Sequence, residues 1–116
     1  MVMTSEKPEI TGASRPGVVN EVIAQSADMR FALYSIDPGA QIPWHFHSEV
    51  SDWYICREGV FAVETRSPDH TATLAVGEMF QVPVRRVHRV INKGDGTCRF
   101  ALVQGLGAYD FNPVEG

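Results

Sequence analysis

Short strand-like segments separated by turn signals constrain the fold of this chain more than any other feature. Turn signals such as Asp-Pro-Gly at 37–39 and Ser-Pro-Asp at 67–69 interrupt the sequence at regular intervals. No segment shows the periodicity of a long helix. Regularly spaced short strands predict an all-β sandwich or barrel. Nine runs are rich in Val, Ile, Phe and Tyr and are predicted as strands: 18–25, 30–36, 41–47, 52–57, 60–65, 71–76, 79–82, 88–92 and 98–104.

Size and charge narrow the class of protein. A chain of 116 residues is large enough for one domain, and we expect a polar N-terminal arm over 1–17 and a barrel with a short C-terminal tail over 18–116. Ten basic residues against fourteen acidic ones give a net charge of −4, which argues against a nucleic-acid partner. No signal-peptide or membrane-spanning run is visible. Two cysteines without metal or disulfide spacing indicate a reduced chain, and we expect a cytoplasmic one.

Alternation along the strands predicts which side chains face the barrel interior. If Asp52 points inward, Tyr54 and Cys56 share its face, and Cys56 is expected to be a small buried group. If His88 points inward, Val90 and Asn92 do as well. The remaining predicted interior residues are apolar: Phe61, Val63, Leu74, Val76, Phe100 and Leu102.

Trp44 and Phe46 are predicted to point away from the interior, because they alternate with two histidines. An exposed aromatic pair on a soluble protein favours an interface, and we expect a homodimer. Packing against the N-terminal arm would explain the pair equally well.

The histidines suggest a metal site. His45 and His47 are two residues apart, so an extended strand points both imidazoles the same way. His88 lies far along the chain, and only a folded barrel or sandwich could bring it to them. Imidazole is a common ligand of transition metals. The alternative is that these are hydrogen-bonded interior histidines without a metal. His70 falls in a predicted turn and is expected at the surface.

Two ordered blocks carry a family resemblance. Residues 39–59 read G-x5-H-x-H-x4-D-x6-G, and residues 77–92 read G-x5-P-x-R-x2-H-x3-N. They resemble the paired signature motifs of the cupin superfamily. The departures are Asp52, where the family usually has Glu, and Arg85, where it usually has Gly. The resemblance implies a double-stranded β-helix, the jelly-roll barrel of cupins.

The resemblance also implies one divalent transition metal ion, held by His45, His47, His88 and Asp52. Iron, manganese, nickel, copper, cobalt and zinc all accept this type of site. Asp52 is shorter than Glu, so it could bind directly, bind through water or orient a histidine. Glu49 is its rival, and a site with no carboxylate remains open. Arg85 either marks a different loop, faces an acidic ligand, or belongs to a solvated turn.

By the same resemblance, the expected function is that of a metal-dependent enzyme acting on a small oxygenated or aromatic molecule. Dioxygenase-like chemistry is the first choice, with isomerisation, decarboxylation or cyclisation as further possibilities. Tyr54 is a weak candidate for an acid–base residue. The alternative is a non-catalytic module that binds a small ligand, since no motif here specifies a reaction.

Overall fold

The computed structural model describes residues 9–11 and 15–116, and this part of the chain is all β. None of it forms a helix that is long and apolar enough to cross a membrane. Eleven strands are described: β1 Glu9–Thr11, β2 Val18–Gln25, β3 Met29–Ile36, β4 Gln41–Phe46, β5 Ser51–Glu58, β6 Phe61–Thr65, β7 His70–Leu74, β8 Met79–Val82, β9 His88–Ile91, β10 Cys98–Gly105 and β11 Asn112–Pro113.

These strands form two antiparallel sheets that face each other as a barrel. The first sheet has the order β1-β2-β3-β10-β5-β8, and the second has the order β11-β4-β9-β6-β7. Neighbours in each sheet come from distant parts of the sequence, as in the pairing of β3 with β10 and of β4 with β9. The fold therefore brings residues that are far apart in sequence onto one inner surface, and the predicted all-β jelly-roll class is confirmed.

The inner faces of both sheets supply the core. The rings of Phe61 and Phe100 stack with centroids 4.6 Å apart, and Tyr34 stacks on Phe100 at 5.0 Å. Aromatic stacking of this kind stabilises a core beyond its buried area. The buried cluster consists of Val18, Ile36, Ile42, Tyr54, Cys56, Phe61, Val63, Leu74, Val82, Val90, Cys98, Phe100 and Leu102.

The predicted interior set is correct except for Val76, which is 64% exposed. The predicted run 71–76 is too long at its end, because β7 stops at Leu74. The chain then turns: the Glu78 N–H donates to the Ala75 carbonyl at 3.0 Å, and the Ala75 N–H donates to the Glu78 carboxylate at 2.9 Å. Val76 lies in this turn and not on a strand, so alternation no longer applies to it.

Both ends of the domain add a strand to a sheet. The predicted arm 1–17 contains β1, which pairs with β2, while residues 1–8 and 12–14 lie outside the described part of the chain. Near the C-terminus, β11 pairs with β4. The tail therefore crosses the end of the barrel next to the predicted histidines.

Trp44 lies on the outer side of β4 and is partly covered by its own chain. The guanidinium carbon of Arg66 lies 3.9 Å from the Trp44 ring centroid, and that of Arg89 lies 5.1 Å away. Such cation–π contacts are favourable at exposed sites. Phe46 is likewise half-buried. A homodimer through this face stays a prediction.

Candidate metal centre

Two histidines at the end of strand β4 face the barrel interior. His45 lies in β4 and His47 directly follows its last residue, Phe46; both histidines are 3% exposed, whereas Trp44 and Phe46 are half-buried. The pairing of β4 with β9 shifts register between Ile42 and His45. A bulge of this kind re-aims the residues that follow it. Ile42 can therefore face the interior together with His45 despite their odd spacing.

The other two groups, His88 and Asp52, lie on strands of different sheets. His88 opens β9 and is directly opposite His45 in the pairing, with ring centroids 4.2 Å apart. Asp52 comes from β5 of the facing sheet. Both are 1% exposed. One ligand atom from each of His45, His47, Asp52 and His88 lies within 4.8 Å of the other three, so these residues could bind a metal ion.

Backbone carbonyls orient all three imidazoles in the same way. The Nδ1 atoms lie 2.7 Å from Pro43 O for His45, 2.6 Å from Asp110 O for His47, and 2.8 Å from Arg86 O for His88. Because a carbonyl oxygen only accepts, each Nδ1 carries the hydrogen. Each neutral ring then presents the lone pair of Nε2 to the centre. This is the arrangement that metal-binding histidines generally show.

The donor set fits a cation. Asp52 Oδ2 lies 3.0 Å from His88 Nε2 and 3.4 Å from His47 Nε2. Neutral rings tautomerised as above would place lone pairs against a carboxylate in a buried space, which is unfavourable without a positive charge between them. A divalent ion supplies that charge, and so would protonation of a histidine.

Two further side chains fix the carboxylate of Asp52. The Tyr54 hydroxyl donates to Oδ2 at 2.7 Å, and the Gln104 amide donates to Oδ1 at 2.9 Å. Both donors are buried. Hydrogen bonds to a charged acceptor are among the stronger ones. Asp52 is therefore held in one orientation, toward the imidazoles.

The pKa directions reflect a buried site with one negative charge. Burial, together with the neighbouring His88, lowers the pKa of His45 to about 3. Burial alone would also lower the pKa of His47, but the Asp52 carboxylate raises it above its ordinary value. For Asp52, burial acts upward, yet the neighbouring imidazoles of His47 and His88 hold its pKa far below the ordinary range. Burial and the charge of Asp52 raise the pKa of Tyr54 well above its ordinary value.

Two residues that the sequence analysis considered, Glu49 and His70, lie outside the cluster. Glu49 is exposed and its carboxylate accepts from the Ala108 N–H at 3.3 Å, so it is not among the four convergent groups. His70 is exposed at the start of β7, as expected for a surface histidine. Asp52 is thus the carboxylate that the fold brings to the histidines.

Arg85 keeps the backbone conformation for which the family uses glycine. Its φ is +66°, in the left-handed region, and its side chain is exposed. Its N–H donates to the carbonyl of His47 at 2.8 Å. The loop therefore retains its shape with an arginine, which costs about 1 kcal/mol of conformational free energy. The solvated turn is the alternative that fits.

A cavity of ≈ 420 Å³ opens beside the four groups. One side of it is polar: His45, His47, Asp52 and Gln104 line it, with Tyr54 behind. Val22, Ile42 and Leu102 add apolar side chains to the lining, and Tyr109 and Phe111 of the tail line it as well. The remaining lining residues are Arg15, Asn20, Gln25, Arg30, Tyr34 and Tyr54. A metal at the four groups would thus be reached from one side, as catalytic metal sites require.

Sequence reasoning missed the residues that support the site. Gln104, Arg30 and the backbone of Asp110 were not singled out. Gln104 has the same parity as Phe100 and Leu102, so alternation could have placed it inside. Asp110 acts through its carbonyl in an irregular tail, and no side-chain pattern predicts such a role.

Comparison with known proteins identifies the family. The family model described as a cupin domain matches residues 32–104, which is more than half of the chain and includes all four candidate ligands. The chain belongs to the cupin family. Among the curated proteins, no sequence matches this cupin.

Solved structures agree on the fold. An uncharacterized conserved protein with a double-stranded β-helix domain from Klebsiella pneumoniae subsp. pneumoniae MGH 78578 is 19% identical, with a TM-score of 0.74 over 100% of this chain and 91% of that one. The polyketide cyclase RemF from Streptomyces resistomycificus is 18% identical, with a TM-score of 0.78 over 100% and 87%. An oxalate oxidase is 15% identical, with a TM-score of 0.78 over 98% of this cupin and 63% of the oxidase. At these identities the likeness establishes the fold alone.

Proposed function

We propose that this cupin is a small metal-dependent enzyme that acts on a compact oxygenated or aromatic organic molecule, with dioxygenase-like oxidation as the first choice. The observation that carries the proposal is the position of the four convergent groups. Three of them, His45, His47 and Asp52, line a ≈ 420 Å³ cavity, and His88 lies in the same cluster. An ion there would have protein ligands on one side and room for a substrate on the other.

The chain's own residues would hold one divalent transition ion through the Nε2 atoms of His45, His47 and His88 and through Asp52. Three backbone carbonyls fix the imidazole tautomers, and Gln104 and Tyr54 fix the carboxylate. When bound, such an ion supplies Lewis acidity and, if it is redox-active, access to oxygen chemistry. Iron, manganese, nickel, copper, cobalt and zinc all suit imidazole and carboxylate ligands.

The proposed oxidation needs no reductant other than the substrate. A dioxygenation consumes one molecule of O₂ per substrate and places both oxygen atoms in the product, so the substrate supplies all four electrons and no other reductant is needed. The apolar wall formed by Val22, Ile42 and Leu102 would exclude bulk water from the bound molecule. Isomerisation, decarboxylation and cyclisation need the same open metal and no oxygen. The cyclase and the oxalate oxidase of similar fold support an enzymatic role by analogy only.

One observation favours a second candidate, a module that binds a small ligand without turnover. Tyr54 is the acid–base candidate of the sequence, and its hydroxyl is committed to Asp52 at 2.7 Å in a side chain that is 1% exposed. A hydroxyl held in this way positions the carboxylate and is poorly placed to exchange a proton with a substrate. Without Tyr54, the chemistry depends on the ion and on the substrate's own groups.

Metal analysis and a substrate panel test the proposal together. Elemental analysis should find about one transition metal ion per chain in wild type and much less in His88→Ala. The same substitution at the exposed His70 removes a histidine of equal chemistry and should leave the metal content unchanged. Oxygen uptake is then followed with a panel of catechols, 1,2-diketones and hydroxy acids.

The possible results separate the candidates. Turnover that is lost in folded His88→Ala and kept in His70→Ala supports the enzyme. Binding of panel members without any product, with and without oxygen, supports the binding module. A protein that holds no transition metal after growth with each of the six ions refutes the metal-dependent enzyme and any binding module that relies on the ion.

A further inference from the structure

A buried arginine lines the cavity beside the metal-binding groups. Arg30 is 6% exposed, and its Nη1 donates to Gln104 Oε1 at 2.6 Å. Among residues 9–11 and 15–116 no carboxylate lies within ion-pair distance of its guanidinium. A buried cation without a counter-ion is unfavourable, so the site favours an anion that arrives with a ligand.

The sheet places this guanidinium next to the metal centre. Arg30, Gln104 and Asp52 are directly opposite one another on the adjacent strands β3, β10 and β5. Gln104 bonds to both of the others, so one amide separates the guanidinium from the carboxylate. The Tyr109 ring lies under the guanidinium with a distance of 4.6 Å from its carbon to the ring centroid. Arg30 is thereby held flat, with its remaining N–H groups available to the cavity.

A second polar group lies farther along the same wall. Asn20 is 3% exposed and lines the cavity, and its Oδ1 has no hydrogen-bond partner among the described residues. It is opposite Tyr34 in the pairing of β2 with β3. Tyr34 is four residues beyond Arg30 on β3, which corresponds to about 13 Å along a strand. The two polar positions are therefore separated by roughly the length of a substituted ring compound.

The cavity also has an apolar part. Val22, Ile42 and Leu102 line it, together with the ring of Tyr34, while Arg15 and Gln25 add further polar lining. A volume of ≈ 420 Å³ is within the range of small-molecule sites. The cavity thus combines a buried guanidinium beside the metal-binding groups, apolar side chains and the Asn20 amide.

We propose that the cavity binds a small aromatic or alicyclic carboxylic acid, with its carboxylate against Arg30, its ring against the apolar wall and a hydroxyl or amino group toward Asn20. This assignment rests on the proposed function for the identity of the site and names its substrate class. A carboxylate matches the planar guanidinium with two parallel hydrogen bonds. The acid end would lie beside the ion, where the chemistry takes place, and the distal group would satisfy the Asn20 amide.

Four simple probes test the carboxylate and the distal group separately. Benzoate, benzamide, 4-hydroxybenzoate and phenyl phosphate are titrated into the protein as purified, with its metal content measured, and affinities are read by calorimetry or ligand-observed NMR. Benzoate should bind about tenfold or more tightly than neutral benzamide, because only benzoate forms charged hydrogen bonds. 4-Hydroxybenzoate should gain about tenfold over benzoate. Phenyl phosphate carries a tetrahedral anion that a guanidinium can also bind, so tighter binding of phenyl phosphate than of benzoate would refute the carboxylate assignment.

Variants then assign each effect to a residue. Arg30→Met should erase the advantage of benzoate over benzamide, and Arg57→Met, which removes the same charge from an exposed position on β5, should keep it. Asn20→Leu should erase the advantage of 4-hydroxybenzoate over benzoate and leave the benzoate–benzamide ratio unchanged.

Clear results would overturn the assignment. Equal affinities for benzoate and benzamide in wild type refute it even if a variant fails to fold, and so do equal effects of Arg30→Met and Arg57→Met. A protein that holds its metal and binds none of the acids refutes the substrate class but not the metal centre. Acids that bind a protein that holds no transition metal after growth with each of the six ions leave the assignment standing and refute the proposed function.

Discussion

The buried His45 makes the metal-free protein sensitive to mild acid, and the effect can be calculated. Burial lowers the pKa of His45 from 6.5 to about 3 in the folded state. A group whose pKa is lower in the folded state contributes stability above its unfolded pKa and loses it as the pH falls. Each pH unit below 6.5 costs about 1.4 kcal/mol, so lowering the pH from 6.5 to 5 should cost about 2 kcal/mol.

His47 and Asp52 change the stability of the protein outside the range from pH 6.5 to 5. His47 has a raised pKa, so its contribution is present below 6.5 and is lost as the pH rises through the folded-state value. Asp52 has a lowered pKa, so its contribution disappears only as the pH falls below its unfolded value of 3.8. The range from pH 6.5 to 5 therefore isolates His45.

Urea unfolding of chelator-treated protein, followed by circular dichroism at several pH values, measures the slope. His45→Gln keeps a polar side chain without a titrating group, so it should lose the slope of about 1.4 kcal/mol per pH unit between pH 6.5 and 5. His70→Gln, at an exposed position, should keep it. Equal slopes in wild type and His45→Gln would refute the idea that His45 is buried in its neutral form.

Three further predictions test the local geometry. Tyr54→Phe removes a 2.7 Å hydrogen bond to a buried carboxylate, and should lower the stability of metal-free protein by about 2 kcal/mol in thermal unfolding; an unchanged melting temperature would contradict the bond. Arg85→Gly should be at least as stable as wild type in urea, whereas Arg85→Val should lose about 1–2 kcal/mol, since only glycine relieves the left-handed strain. Gly59→Ala should cost more than Gly39→Ala, because both have positive φ but only the first would place Cβ 2.8 Å from Thr97 O; equal losses would exclude the clash.

Alternation and turn signals predicted most of the fold because strands have a simple period. The nine predicted runs correspond to β2 through β10, and among residues 9–11 and 15–116 the short strands β1 and β11 were missed. Val76 was placed inside because an apolar residue before a glycine continues the pattern of its strand. The turn from Ala75 to Glu78 is held by hydrogen bonds that the pattern does not show. Periodicity thus predicts strand faces well and strand ends poorly.

The candidate ligands could be predicted from the sequence, whereas the residues that orient them could not. His45, His47, Asp52 and His88 hold fixed positions in two motifs, so their sequence spacing carries information. The carbonyl of Asp110 and the amide of Gln104 act through geometry that depends on which strands become neighbours. Pairing of β10 with both β3 and β5 is a long-range event that no local pattern encodes.

That same pairing explains why a metal centre and an anion site would occur together in this barrel. Once β10 lies between β3 and β5, one inward row across three strands contains Arg30, Gln104 and Asp52. Gln104 donates to the carboxylate with its nitrogen and accepts from the guanidinium with its oxygen, so its orientation is fixed by both neighbours. Replacing Gln104 with Glu would put a second negative charge beside Asp52 and give Arg30 an ion-pair partner. It should therefore weaken the binding of benzoate through Arg30 without removing any metal ligand, and calorimetry with benzoate and with zinc would measure the two effects apart. A Gln104→Glu protein that binds benzoate as tightly as wild type would show that Arg30 does not receive the acid.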